Sequence, residues 1–124
     1  MNPLKQMSER RHLNVLAALS YMSVIFIISS IPSSGIPGGV SPYSGFFHFM
    51  EYFILAILLF PIFYNNSNRL FYVLFIATFY GVTDEIHQFF VPGRVFSTVD
   101  MFLDLAGATA GVFVCWLNEI IWNT

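Results

Sequence analysis

The sequence predicts an all-α membrane protein, an antiparallel bundle of four transmembrane helices with both termini in the cytoplasm. Three observations predict it. Hydrophobic residues make up 56% of the chain and charged residues only 10%, which is too apolar for a soluble domain of 124 residues. The apolar residues fall into four runs, 13–31, 47–64, 70–91 and 99–122, each close to the roughly 20 residues a helix needs to cross about 30 Å of hydrocarbon. Between them lie short breaks of turn-forming residues, so sequential helices should reverse direction. The chain reads as one unit over 1–124, without linker or repeat.

The first run follows Lys5, Arg10 and Arg11, a layout shared with cleaved signal peptides. It is longer than a usual signal core, and "SSIPSSG" is a poor cleavage site, so a retained helix is expected. "IPSSGIPGGVSPYSG" (31–45) is too rich in Pro and Gly for helix, and separates this run from the second. "NNSN" (65–68) is a turn cluster, and "VPGR" (91–94) stops the third run. Ser97 or Thr98 supplies the N-cap of the fourth. The single cysteine, Cys115, lies in that fourth run, so no intramolecular disulfide is possible. Lys5, Arg10, Arg11 and Arg69 fall on one side of the four runs and Arg94 on the other, which by the positive-inside rule places the termini in the cytoplasm.

The polar residues then gather toward the outer side. His48, Glu51 and Tyr52 open the second run at i, i+3 and i+4; Asp84, His87 and Gln88 repeat that spacing near the end of the third; Asp100 and Asp104 stand at i, i+4 in the fourth. Each helix presents one polar stripe at the same depth. Gly107 and Gly111 continue the last stripe as G-x-x-x-G, which lets a neighbouring helix approach closely.

An Asp at the centre of a membrane helix costs on the order of 2.5–3.5 kcal/mol on insertion scales, and less toward the interface. Glu51, Asp84, Glu85, Asp100 and Asp104 therefore need compensation. Arg94 can pair with one or two of them, Asp84 or Asp100 at the loop end being expected. Protons are a second agent, since crowded carboxylates titrate as coupled groups. A divalent metal is a third, with His48, Asp84, His87 and Asp100 as hypothetical ligands arriving from three helices.

Plainer readings stand beside these. His48 with Glu51 also fits a hydrogen-bonded pair at a helix entry. Glu85, about 100° round the helix from Asp84, faces either the headgroups or the pocket. Arg94 also fits a structural clamp in its turn. Phe46, Phe47, Phe49 and Phe53 read as lipid-facing or core, and Trp116 and Trp122 as interface anchors. No basic patch supports nucleic-acid binding, and Ser97 and Thr98 do not make a nucleophilic triad.

"HFMEYFILA" (48–56) followed by "DEIHQFFVPGR" (84–94) and the later Ser, Asp and Gly positions resembles the VanZ-like family of small bacterial and archaeal membrane proteins over roughly 44–112. The resemblance implies that His48, Glu51, Tyr52, Asp84, Glu85, Gln88, Pro92, Arg94, Asp100 and Asp104 occupy the family's polar positions. Ser44 and Gly45 depart from an Asp-Lys pair found in many members, which removes that Lys as a partner for an anionic headgroup. The founding member's link to teicoplanin resistance implies a cell-envelope role.

The expected function is an outward-facing pocket that binds or acts on a membrane lipid or lipid-linked envelope substrate. Asp84, His87 and Asp100 are its candidate catalytic groups, and His48, Glu51, Tyr52, Gln88, Arg94 and Asp104 its candidate binding groups. One alternative is a non-catalytic accessory membrane protein whose stripes specify packing or a partner. A weaker one is a small ion- or proton-coupled transporter, which four spans would support only as an oligomer.

Overall fold

Local chemistry sets where each helix begins and ends. The computed structural model describes residues 1–35 and 44–124, so the centre of the Pro/Gly stretch 31–45 lies outside the described residues. A short helix not expected from the apolar runs comes first. This α1, Pro3–Ser8, starts on Asn2, whose side chain accepts the Leu4 N–H at 2.9 Å, with Pro3 at the first helical position. α2, Arg11–Ser29, ends ahead of Pro32, which disfavours helix in the residue before it. α3, Ser44–Leu59, tightens into a 3-10 turn over Phe60–Phe63, where Pro61 has no N–H to give the ladder. α4, Arg69–Phe89, stops just before Pro92 and Gly93. Gly93 has a φ of 76°, and a Cβ there would run into the side chain of Ser33, so the turn requires glycine. α5, Thr98–Asn123, is capped by Ser97, whose Oγ accepts the Asp100 N–H at 3.2 Å.

Three helices, not the expected four, are long and apolar enough to cross a membrane among the described residues: Arg11–Ser29, Ser44–Phe63 and Thr98–Asn123. α4 has the length, but its last two turns carry Asp84, Glu85, His87 and Gln88, and these break its apolar stretch. Its two faces differ sharply. Gly81, Asp84, Glu85 and Gln88 are buried, whereas Phe71, Phe75 and Phe79 are exposed and stacked in a row with centroids 5.9 and 6.1 Å apart. Only 22% of the apolar stretch of α2 is buried inside the protein, so the remainder needs an apolar surrounding. The chain is a membrane protein by these features.

Helix directions follow from the contacts. α4 and α5 are antiparallel, since Glu85 meets Ser97 at one end and Arg69 meets Glu119 at the other. The most extensive interface, however, joins α3 and α5, which run parallel and are not neighbours in sequence. His48 meets Asp104, and the backbones of Phe49 and Phe53 lie against Gly107 and Gly111. A Cβ on Gly107 would collide with the Phe49 carbonyl, and one on Gly111 would lie 2.6 Å from the Phe53 oxygen. Both glycines are therefore required by close helix approach. Beneath the polar end, Tyr52, Leu55, Ala56, Val73, Ala77 and Ala108 form a core from which water is fully excluded.

α1 closes the opposite end. Leu4 is buried there, and Asn2 donates from Nδ2 to the Tyr64 hydroxyl at 3.4 Å. On the same end Arg69 holds Glu119 through Nη2 at 2.9 Å and Nε at 3.2 Å.

Candidate functional site

The end of α2, the start of α3, the end of α4 and the start of α5 meet at one end of the bundle. Alternating helix direction makes this unavoidable, and it brings residues far apart in sequence into one cluster around His48.

His48 is buried in the first turns of α3. Its Nδ1 lies 2.9 Å from Asp104 Oδ1, a hydrogen bond that ties α3 to α5. Its Nε2 faces Asp100 Oδ2 at 3.5 Å and Glu85 Oε1 at 3.9 Å. Both are longer than the roughly 2.7–3.2 Å of an N–H···O hydrogen bond. Glu85 is completely buried; its Oε2 accepts the Ser97 backbone N–H at 3.0 Å, and its Oε1 has no hydrogen-bond partner among the described residues. Ser97 thus serves two acids, taking the Asp100 N–H on its side chain and giving its own N–H to Glu85. Asp104 reaches its depth because α4 offers Gly81, where a Cβ would lie 3.1 Å from Asp104 Oδ2.

Asp84 is buried and accepts from Gln88 Nε2 at 3.4 Å on Oδ2, and its Oδ1 has no partner among the described residues. Ser29 of α2 lies beside it, with its hydroxyl outside hydrogen-bond geometry. Tyr52 is fully buried below, and its hydroxyl also has no partner among the described residues. Glu51 is half-buried, within electrostatic range of His48, Asp84 and Arg94.

Several expected groups lie elsewhere than their sequence spacing suggested. The four hypothetical metal ligands do not meet as a set. His48 and Asp100 come together, but their third neighbour is Glu85 rather than Asp84 or His87. One donor atom from each of His48, Glu85 and Asp100 lies within 4.8 Å of those of the other two. His87 points toward α2, where Nε2 shares a hydrogen bond with Ser30 Oγ at 2.9 Å and the ring stacks on Phe26 at 4.4 Å. The expected pairing of Arg94 with Asp84 or Asp100 is not found: among the described residues it makes no ion pair, and Nη1 donates to the Ile31 carbonyl at 3.2 Å. The turn holds it against the end of α2, where a carbonyl and not a carboxylate is in reach.

Glu85, Ser97 and the α2 serines were the parts the spacing argument missed. A signal for Glu85 was present, since Gly81, Asp84, Glu85 and Gln88 stand at i, i+3, i+4 and i+7, the pattern of one buried face. Nothing comparable marked Ser29 and Ser30, because a serine in an apolar helix bonds its own backbone as readily as a neighbour, as Ser30 also does to Phe26 at 2.7 Å.

Access to the cluster is uneven. The Asp100 side chain is 20% exposed, against 8% for His48 and 0% for Glu85, so an incoming group reaches Asp100 first. Fold and site together define a small α-helical membrane protein with an acid and imidazole cluster buried at one end of its bundle. The chain belongs to the VanZ/LLP1 family, whose model matches residues 6–121. No curated protein and no solved structure matches it.

Proposed function

We propose that the protein binds, and through its acid and imidazole groups acts on, a cell-envelope lipid or lipid-linked substrate at the His48 end of the bundle. In this reading the site opens to the outer face of the cytoplasmic membrane, and both termini lie in the cytoplasm. The observation that carries it is a set of buried oxygens at that end without a hydrogen-bond partner among the described residues: Tyr52 Oη, Asp84 Oδ1, Glu85 Oε1 and Asp104 Oδ2. Each buried polar group left unsatisfied costs about 1–3 kcal/mol, and a bound polar ligand recovers that cost. Arg94 gives one N–H to Ile31, and the rest of its planar fork suits a phosphate or carboxylate headgroup. Orientation is supported by Arg11, which shares a groove with Asn65 and Asn66 at the far end, on the same side as Arg69.

Native mass spectrometry of the protein in mild detergent, incubated with a bacterial envelope lipid extract, tests this. The expected result is selective retention of an anionic or lipid-linked species, reduced about tenfold or more in Arg94→Ala. Equal retention of bulk phospholipid by both proteins would contradict it. In cells the same reading extends to lowered teicoplanin susceptibility on overexpression, lost in the same variant.

A second reading, an accessory protein whose polar stripes only set helix packing, draws on the tight seat of Asp104 against Gly81. Asp84→Asn combined with Asp100→Asn separates the two. The accessory reading requires fold and cellular function to survive together, and the lipid reading requires function to fail in a folded protein.

A further inference from the structure

We propose that His48, Glu85 and Asp100 form a binding site for a divalent cation, with Asp104 orienting the imidazole. The inference concerns the same cluster but stands whether or not a lipid is the ligand.

The geometry around His48 gathers carboxylates that no Arg or Lys among the described residues pairs with. Nδ1 is hydrogen-bonded to a carboxylate, and in the tautomer that carries the proton on Nδ1 the Nε2 atom presents a lone pair. This lone pair points at two carboxylate oxygens, at 3.5 and 3.9 Å. Three electron-rich atoms therefore face one another in a site with little water. The separations are too long for a shared proton to bridge. They are close to what a common metal ion imposes: donors about 2.0–2.2 Å from a tetrahedral cation stand roughly 3.4 Å from each other.

A second observation is independent of the clustering of acids. Glu85 Oε1 is completely buried, lacks a hydrogen-bond partner among the described residues and faces Nε2, whereas its sister oxygen is held by the Ser97 N–H. That bond fixes the carboxylate so that one oxygen is presented inward. Asp104 on Nδ1 gives the carboxylate–histidine arrangement that sets tautomer and ring orientation at metal sites. The cation that the chain has available nearby, Arg94, is engaged with Ile31.

One imidazole and two carboxylates suit zinc, manganese or ferrous iron, and not calcium, which prefers six or more oxygens. Three protein donors also leave a position open for water or a substrate oxygen, on the side where Asp100 is exposed.

Protein purified without a polyhistidine tag, stripped with chelator and placed in phosphatidylcholine nanodiscs is titrated with Zn²⁺ alone, and separately with Mn²⁺ alone, by calorimetry. One saturable site per chain is expected. Glu85→Gln and Asp100→Asn each weaken it at least tenfold, and Asp104→Asn, which acts through the imidazole, by about 10–100-fold. His12→Ala, an exposed histidine at the far end, leaves it unchanged. Absence of a saturable site for either ion in folded, monodisperse wild-type protein overturns the proposal. So does binding that survives Glu85→Gln and Asp100→Asn but falls with His12→Ala. No envelope lipid enters this titration, so its failure is separate from failure of the lipid reading, which Arg94→Ala decides.

Discussion

The two ends of the bundle treat buried carboxylates in opposite ways. At the end closed by α1, Glu119 is buried and the chain supplies its counter-charge: Arg69 reaches from the first turn of α4 and holds one oxygen with two N–H groups, at 2.9 and 3.2 Å. At the His48 end, Glu85, Asp100 and Asp104 gather around one imidazole with Asp84 buried nearby on α4, and no Arg or Lys among the described residues pairs with any of them. A carboxylate with a purely structural role is matched within the chain, as burying an ion otherwise costs several kcal/mol. Under the proposed reading, the cluster left unmatched takes its charge from outside, as a cation. The contrast is what separates a helix-packing device from a site.

Both ends depend on the parallel α3–α5 joint, so its loss has the largest expected effect. Gly107→Val would push a branched side chain into the Phe49 carbonyl, and the helices would have to separate. The expected outcome is loss of the cooperative thermal unfolding transition in mild detergent, a cost of more than about 3 kcal/mol. A variant that unfolds at the wild-type temperature would show that the two helices do not approach as described.

Next comes the matched end. Arg69→Ala leaves Glu119 without its partner, but Arg69 is 29% exposed and solvent screens part of the effect, so about 1–3 kcal/mol of destabilisation is expected. Replacing Glu119 by Gln in the same protein should restore part of it, because the unmatched charge is then gone. Additive losses in the double variant would mean that the pair is not coupled, and the contrast between the ends would weaken.

How far the sequence alone discloses this contrast depends on which residues are asked. Four long helices and their order are readable because apolar runs are broken by the Pro/Gly sequence 31–45, the Asn cluster 65–68 and Pro92, and each of these acts locally. α1 escapes a reading based on apolar length, although its Asn2-Pro3 start is a plain helix signal. The membership of the site is only half visible. Of Asp84, His87 and Gln88, read as one stripe, Asp84 and Gln88 do lie on the buried face together with Gly81 and Glu85, whereas His87 belongs to the face that meets α2. Arg94 shows a different limit. Charge logic assigns it a carboxylate, but a residue in a turn goes where the turn places it, here against the last carbonyls of α2. The parallel α3–α5 contact is legible only through Gly107 and Gly111, which announce close approach without naming the partner.

The smallest change is also the most telling, and it is the measurement to make first. Glu85→Gln is nearly isosteric: the amide oxygen can keep the Ser97 N–H, and the amide nitrogen gives the cluster a donor in place of a charge. Thermal unfolding of wild type and variant is compared in the same detergent, with divalent cations chelated and then with zinc restored. Without cations the variant should be as stable as wild type or up to about 1 kcal/mol more stable, since an unmatched buried charge has been removed. With zinc restored, wild type alone should gain, and the order should reverse. A variant that is less stable than wild type under both conditions, with zinc moving neither, would contradict the claim that the His48 end is a site awaiting an external charge.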